Sequence, residues 1–158
     1  MSHEYLLPIA LPSPDDAAVA LRRVADALGE TVSDPDVAPA VYRGDLTVHA
    51  VAADAEGRSA SSRSLGFAVD VTLVLTDLGQ SSSERMRAVF ADVLRAVLAF
   101  TVEGTHAALI EELTDDSLIL RIDDGDLTLN ESWPGWLVWP EVQSVVPAPR
   151  FAELHLTR

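Results

Sequence analysis

Apolar and polar residues alternate most clearly from Phe67 to Leu75. Phe67, Val69, Val71, Leu73 and Leu75 share one parity, and Ala68, Asp70, Thr72 and Val74 the other. This period of two, rich in β-branched residues, predicts a strand with one buried face. Asp70 and Thr72 place polar groups on the second face, which favours an antiparallel sheet over a doubly covered parallel one. The next pattern has the period of a helix. Met86, Val89, Phe90, Val93, Leu94, Val97 and Leu98 fall at i, i+3, i+4, i+7, i+8, i+11 and i+12, so residues 84–100 read as one amphipathic helix. Ser81 and Glu84 have the spacing of a capping box at its start, and Gly104 stops it.

The same reading extends along the chain. Glu4 to Leu11 predicts a strand, with Pro8 suggesting an edge position or a bend. Ser13, Pro14, Asp15 and Asp16 open a helix whose apolar stripe is Ala17, Leu21, Val24, Ala25 and Leu28, closed by Gly29. Residues 30–41 hold two prolines and no period, and read as an acidic loop. Leu46, Val48 and Ala50 mark a second strand, and residues 54–64 read as a mobile polar connection to the Phe67 strand. His106 to Leu113 makes a fourth strand. Leu118, Leu120 and Ile122 make a fifth, and Leu127 and Leu129 a sixth across an Asp124-Gly125 hairpin turn. The expected fold class is therefore α+β, a single domain over residues 1–158. A mainly antiparallel sheet of about six strands carries two helices on one face, in the order β-α-β-β-α-β-β-β. Residues 132–158 form a C-terminal extension packing on it, and Phe151, Leu154 and Leu156 suggest a last short element.

That extension contains Trp133, Trp136 and Trp139, spaced by three and bracketed by Pro134 and Pro140. Clustered tryptophans fit either a lid over the core or a binding hot spot. With the polar face of the Phe67 strand they give the candidate partner-binding residues: Trp133, Trp136, Trp139, Asp70 and Thr72.

Composition narrows the function classes. There are 25 acidic residues against 11 basic ones, all Arg, for a net charge of −14. Such a balance opposes direct nucleic-acid binding, which rests on neutralising phosphates, and would steer a basic partner toward the chain. Without cysteine there is neither a thiol nucleophile nor a Cys-based metal site. No apolar run is long enough for a membrane span, and Met1-Ser2-His3-Glu4 has none of the marks of a signal peptide, so a cytoplasmic location is expected.

No residues assemble into chemistry. His3, His49, His106 and His155 stand singly, and the Ser-rich segment lacks a nucleophile elbow. Asp123-Asp124-Gly125-Asp126 is a hairpin turn rather than a calcium loop, because the alternating acids and the closing Glu are missing. Neither catalysis, nor a cofactor, nor a metal is expected.

One resemblance adds to this. The strand and helix of residues 67–100, then Leu118-Ile119-Leu120-Arg121-Ile122 and Gly125-Asp126-Leu127-Thr128-Leu129-Asn130 followed by a Trp, resemble small bacterial immunity proteins. These are the ones paired with the swarming-inhibition toxins of myxobacteria and their relatives. The opening Glu4-Tyr5 is also similar, whereas the Ser-rich segment and the three tryptophans depart from the pattern. The resemblance implies a non-catalytic protein that binds and neutralises a toxin. The residues alone leave open a second copy of the chain as partner, or a small molecule between sheet and helices.

Overall fold

The computed structural model describes residues 3–10, 17–77, 88, 91–92, 95, 105–112, 117–124, 126–133 and 150–156. Among them, β1 (His3–Ala10), β2 (Val41–Arg43), β3 (Leu46–Ala52), β4 (Val71–Asp77), β5 (His106–Glu112), β6 (Ser117–Asp123), β7 (Asp126–Asn130) and β8 (Arg150–Ala152) build one sheet. Its order is β2-β3-β4-β1-β5-β6-β7-β8. Every pairing is antiparallel except β7 with β8. Two helices are described in full, α1 (Ala17–Leu28) and α2 (Ala55–Leu65). The fold is α+β, as the patterning predicts. The expected helix over residues 84–100 lies largely outside the described residues, though Ala88, Ala91, Asp92 and Arg95 are helical.

The sheet is buried on both faces, unequally. Tyr5, Leu7 and Ile9 of β1, with Val71, Leu73 and Leu75 of β4, face one cluster. That cluster also takes in Leu21, Val24 and Ala25 of α1 and Leu109, Leu120, Ile122 and Leu129. The other face carries a smaller cluster of Leu65, Phe67, Val69, Ala108, Ile110 and Leu118, edged by Leu6, Ala10, Leu154 and Leu156. The two fully described helices, α1 and α2, thus sit on opposite faces; the expected pair on one face is α1 with the helix over residues 84–100, most of which lies outside the described residues.

Four expectations are corrected. Residues 54–64 are not a mobile connection. They form α2, because the Asp54 carboxylate caps its first turn through the Gly57 amide at 2.6 Å and Gly66 closes it at φ 80°. A helix with one buried residue, Leu65, leaves no apolar stripe to read. Six strands become eight because β2 and β8, three residues each, are too short to show a period.

Pro8 is central rather than at an edge, with β4 on one side and β5 on the other. Ile9 accepts from the Asp70 amide, on the β4 side, so the neighbouring Pro8 turns its nitrogen toward β5. The β1–β5 pairing skips Leu7 and Pro8, so the missing donor falls where no ladder bond is made.

The Phe67 strand breaks at Asp70. The Asp70 amide donates to Ile9 of β1, while its carbonyl accepts from Ala53, beyond β3. In a regular antiparallel strand both groups of one residue face the same neighbour. Splitting them turns the chain over, so Val69 joins one face and Val71 the other despite equal parity.

Candidate functional site

The smaller cluster leaves space. The residues of α2 that face the sheet are Gly57, Ser61 and Leu65, at i, i+4 and i+8. Leu65 anchors one end, whereas Gly57 and Ser61 are too small to fill the gap beneath them. The result is a cavity of about 380 Å³. Its floor is Leu6 and Pro8 of β1, Thr72 of β4 and Ile110 of β5, and its wall runs from Val51 to Asp54 with Val69. Val51, 50% exposed, and Asp54 form the open rim. The lining is mostly apolar with a few polar points, as in small-ligand sites.

Two contacts hold α2 over this space. Arg58 Nη2 lies 3.1 Å from Asp70 Oδ1, and the Val69 amide donates to Ser61 Oγ at 3.2 Å. Asp70, a candidate partner-binding residue, therefore ties the helix to the sheet. Thr72, another, stands in the cavity floor. Gly57 leaves room for the cap, since a Cβ there would meet Asp54 Oδ1 at 3.1 Å and the carboxylate would have to shift by a few tenths of an ångström.

Beyond the C-terminal end of α2 lies a polar cluster that the sequence spacing does not reveal. His106 Nδ1 is 3.0 Å from Asp123 Oδ1, and Arg121 Nε donates to Asp123 Oδ2 at 2.8 Å. The His106 ring stacks on Phe67 with centroids 5.6 Å apart, and the Arg121 guanidinium lies 5.5 Å from the centre of the same ring. Burial raises the Asp123 carboxyl, but hydrogen bonds from Arg121 and His106, with their charges, outweigh it and hold the group below the ordinary carboxylate range. His106 and Asp123 are opposite each other in the β5–β6 register, which is why a lone His acquires an acid 17 residues away. Asp124 Oδ1 is 3.6 Å from the other ring nitrogen, so both edges of the imidazole face carboxylates. This arrangement ties β5, the hairpin and Phe67 together.

Trp133 is buried, 5% exposed, against the larger cluster, and its Nε1–H donates to Glu111 Oε2 at 3.3 Å. Trp136 and Trp139 lie outside the described residues. Trp133, Asp70 and Thr72 are not gathered into one surface: Trp133 packs on the α1 face, whereas Thr72 lines the cavity on the other. Near Trp133, burial together with Glu111 and Asp77 pushes the Tyr5 phenol well above its usual range, so that hydroxyl stays protonated.

Exposed charge gathers at the far edge of the sheet. Asp126 of β7, Glu131 and Glu153 are exposed there, on the same edge as Phe151, itself 45% exposed on β8. Among the described residues no group of three or more His, Asp or Glu is arranged to hold a metal ion. No described helix is long and apolar enough to cross a membrane.

Fold and site together define an α+β protein with an open, mostly antiparallel sheet and an apolar cavity under a lightly held helix. No family model, curated protein or solved structure matches the chain.

Proposed function

We propose that this chain is a non-catalytic binding protein of the cytoplasm that engages a basic protein partner, with neutralisation of a toxin, as in immunity proteins, as its specific form. The observation that carries the reading is the acidic edge beside β8. Asp126 of β7, Glu131 just beyond it and Glu153 just beyond β8 are exposed on the same edge as Phe151; Arg150 lies 3.5 Å from Asp126, and His155 Nε2 lies 3.5 Å from Glu153. An exposed aromatic on an edge where one sign of charge predominates suits a partner of opposite charge. The ring supplies buried area, and the charges supply on-rate and orientation. The net charge of −14 reinforces the steering.

The test is quantitative binding to a purified basic partner captured from the native host and confirmed by reciprocal capture. Reversing Glu131 and Glu153 to Lys should slow association about tenfold at low salt and leave dissociation nearly unchanged. Co-expression with that partner should relieve its toxicity in wild type and less so in the double variant. Failure to recover any stoichiometric partner at low ionic strength would remove the reading, as would a partner whose association ignores both salt and the charge reversal.

A further inference from the structure

We infer that the cavity beneath α2 is a binding site for a small amphiphile, an aliphatic body carrying a protonated amine. This is independent of the protein-partner reading, since the cavity lies on the Thr72 face near β3, away from the β8 edge.

Three observations converge on it. The first is size and lining: about 380 Å³ walled by Leu6, Pro8, Val51, Leu65, Val69 and Ile110 is within the range of small-ligand pockets. The second is that the space is built into the sequence of α2. A helix bearing Gly57 and Ser61 toward an apolar sheet cannot fill the gap, and the Asp54 cap, the Arg58–Asp70 ion pair and the Ser61–Val69 hydrogen bond hold it there nonetheless. An apolar space kept open in this way gains free energy when an aliphatic chain replaces water in it.

The third is charge. Among the described residues, the one ionisable side chain lining the cavity is Asp54, at its rim. One of its oxygens accepts from the Gly57 amide, leaving the carboxylate's charge at the opening. Arg58, one turn further along α2, is paired with Asp70. With −14 on the whole chain, an anionic head such as a fatty carboxylate is repelled, and an ammonium group is drawn to Asp54. Thr72 adds a hydroxyl in the floor for a hydrogen bond along the bound chain.

The test uses the full chain and the neutral fluorophore N-phenyl-1-naphthylamine as reporter, with decylamine, decanol and decanoate as competitors below their micelle thresholds. Saturable fluorescence enhancement is expected, with decylamine displacing the dye at about tenfold lower concentration than decanoate. Asp54→Asn keeps the helix cap but removes the charge, and should bring decylamine to within about twofold of decanol. Thr72→Trp and, separately, Val51→Trp should abolish dye binding while the circular dichroism spectrum stays that of the wild type. Two filling variants guard against one of them failing to fold. Absence of saturable dye binding would overturn the site, and so would dye binding unchanged in a folded filling variant. Equal displacement by decylamine and decanoate, or an amine preference that survives Asp54→Asn, would overturn the amine assignment.

Discussion

Asn130 shows how much one side chain can organise. It is buried at the end of β7, and its Nδ2 donates to the Leu118 carbonyl at 2.6 Å and to the Leu154 carbonyl at 3.3 Å. Its Oδ1 accepts from the amides of Ser132 at 3.2 Å and Leu154 at 3.1 Å. All four groups belong to backbone, so the amide fastens β6, the turn after β7 and the C-terminal segment to one point. Asn130→Ala would strand those groups in a dry environment. A loss of about 2–4 kcal/mol is expected, since each orphaned buried group costs about 1–3 kcal/mol and water will satisfy some of them. The midpoint of urea unfolding measures it, and a loss below about 1 kcal/mol would mean the C-terminal segment is held by Leu154 and Leu156 instead. Thr105 gives the contrast: fully buried, its hydroxyl has no partner among the described residues. In the sequence Asn130 is one more polar residue after an apolar pair. Its importance arises from Leu118 and Leu154, 12 and 24 residues away, which no local pattern can show.

Among the elements, what could be read in the sequence was whatever buries a periodic face. β1, α1, β3, β5, β6 and β7 stand close to where their alternation or stripe puts them, because those faces form the larger cluster. Asp124 has φ 51°, the left-handed value required of the first central residue in the expected two-residue turn. What escaped was structure held by caps and pairing rather than by burial: α2, β2 and the reversal at Asp70, with β8 legible only as a last short element at Phe151. The cavity escaped with them, since it exists only because α2 is a helix. A prediction follows at this scale. Gly66 ends α2 at φ 80°, and a Cβ added there would meet Arg121 Nη2 at an ordinary 3.5 Å, so only the backbone resists a side chain. Gly66→Ala should therefore cost about 1–2 kcal/mol, the strain of a left-handed alanine. Hydrogen exchange should show the loss in the amides of Ser62 to Val69 before the rest of the sheet. Uniform loss across β1 and β4 would instead mean that α2 opens only when the whole sheet does.

For the whole molecule the governing quantity is charge. Even if every one of the 11 arginines were paired, an excess of 14 negative charges would remain. The pairs observed, such as Arg43 with Glu30 at 2.9 Å, Arg58 with Asp70 and Arg121 with Asp123, lie near the surface. Each is worth about 1 kcal/mol or less and is itself weakened by salt. Two effects then oppose each other as ionic strength rises: the pairs lose strength and the general repulsion among carboxylates relaxes. Repulsion should win, because it sums over all unpaired acids, whereas pairs are few and short-ranged. Raising NaCl from about 0.01 to about 0.5 M, which shortens the screening length from about 30 Å to a few ångströms, should therefore stabilise the free chain by about 1 kcal/mol and raise its melting temperature by about 2–4 °C. The same salt should slow association with a basic partner, so the free chain and the complex must respond with opposite signs. Calorimetry of the chain alone decides the first half. A melting temperature that falls with salt would mean that the ion pairs contribute more to the stability of the free chain than the repulsion among its unpaired acids costs.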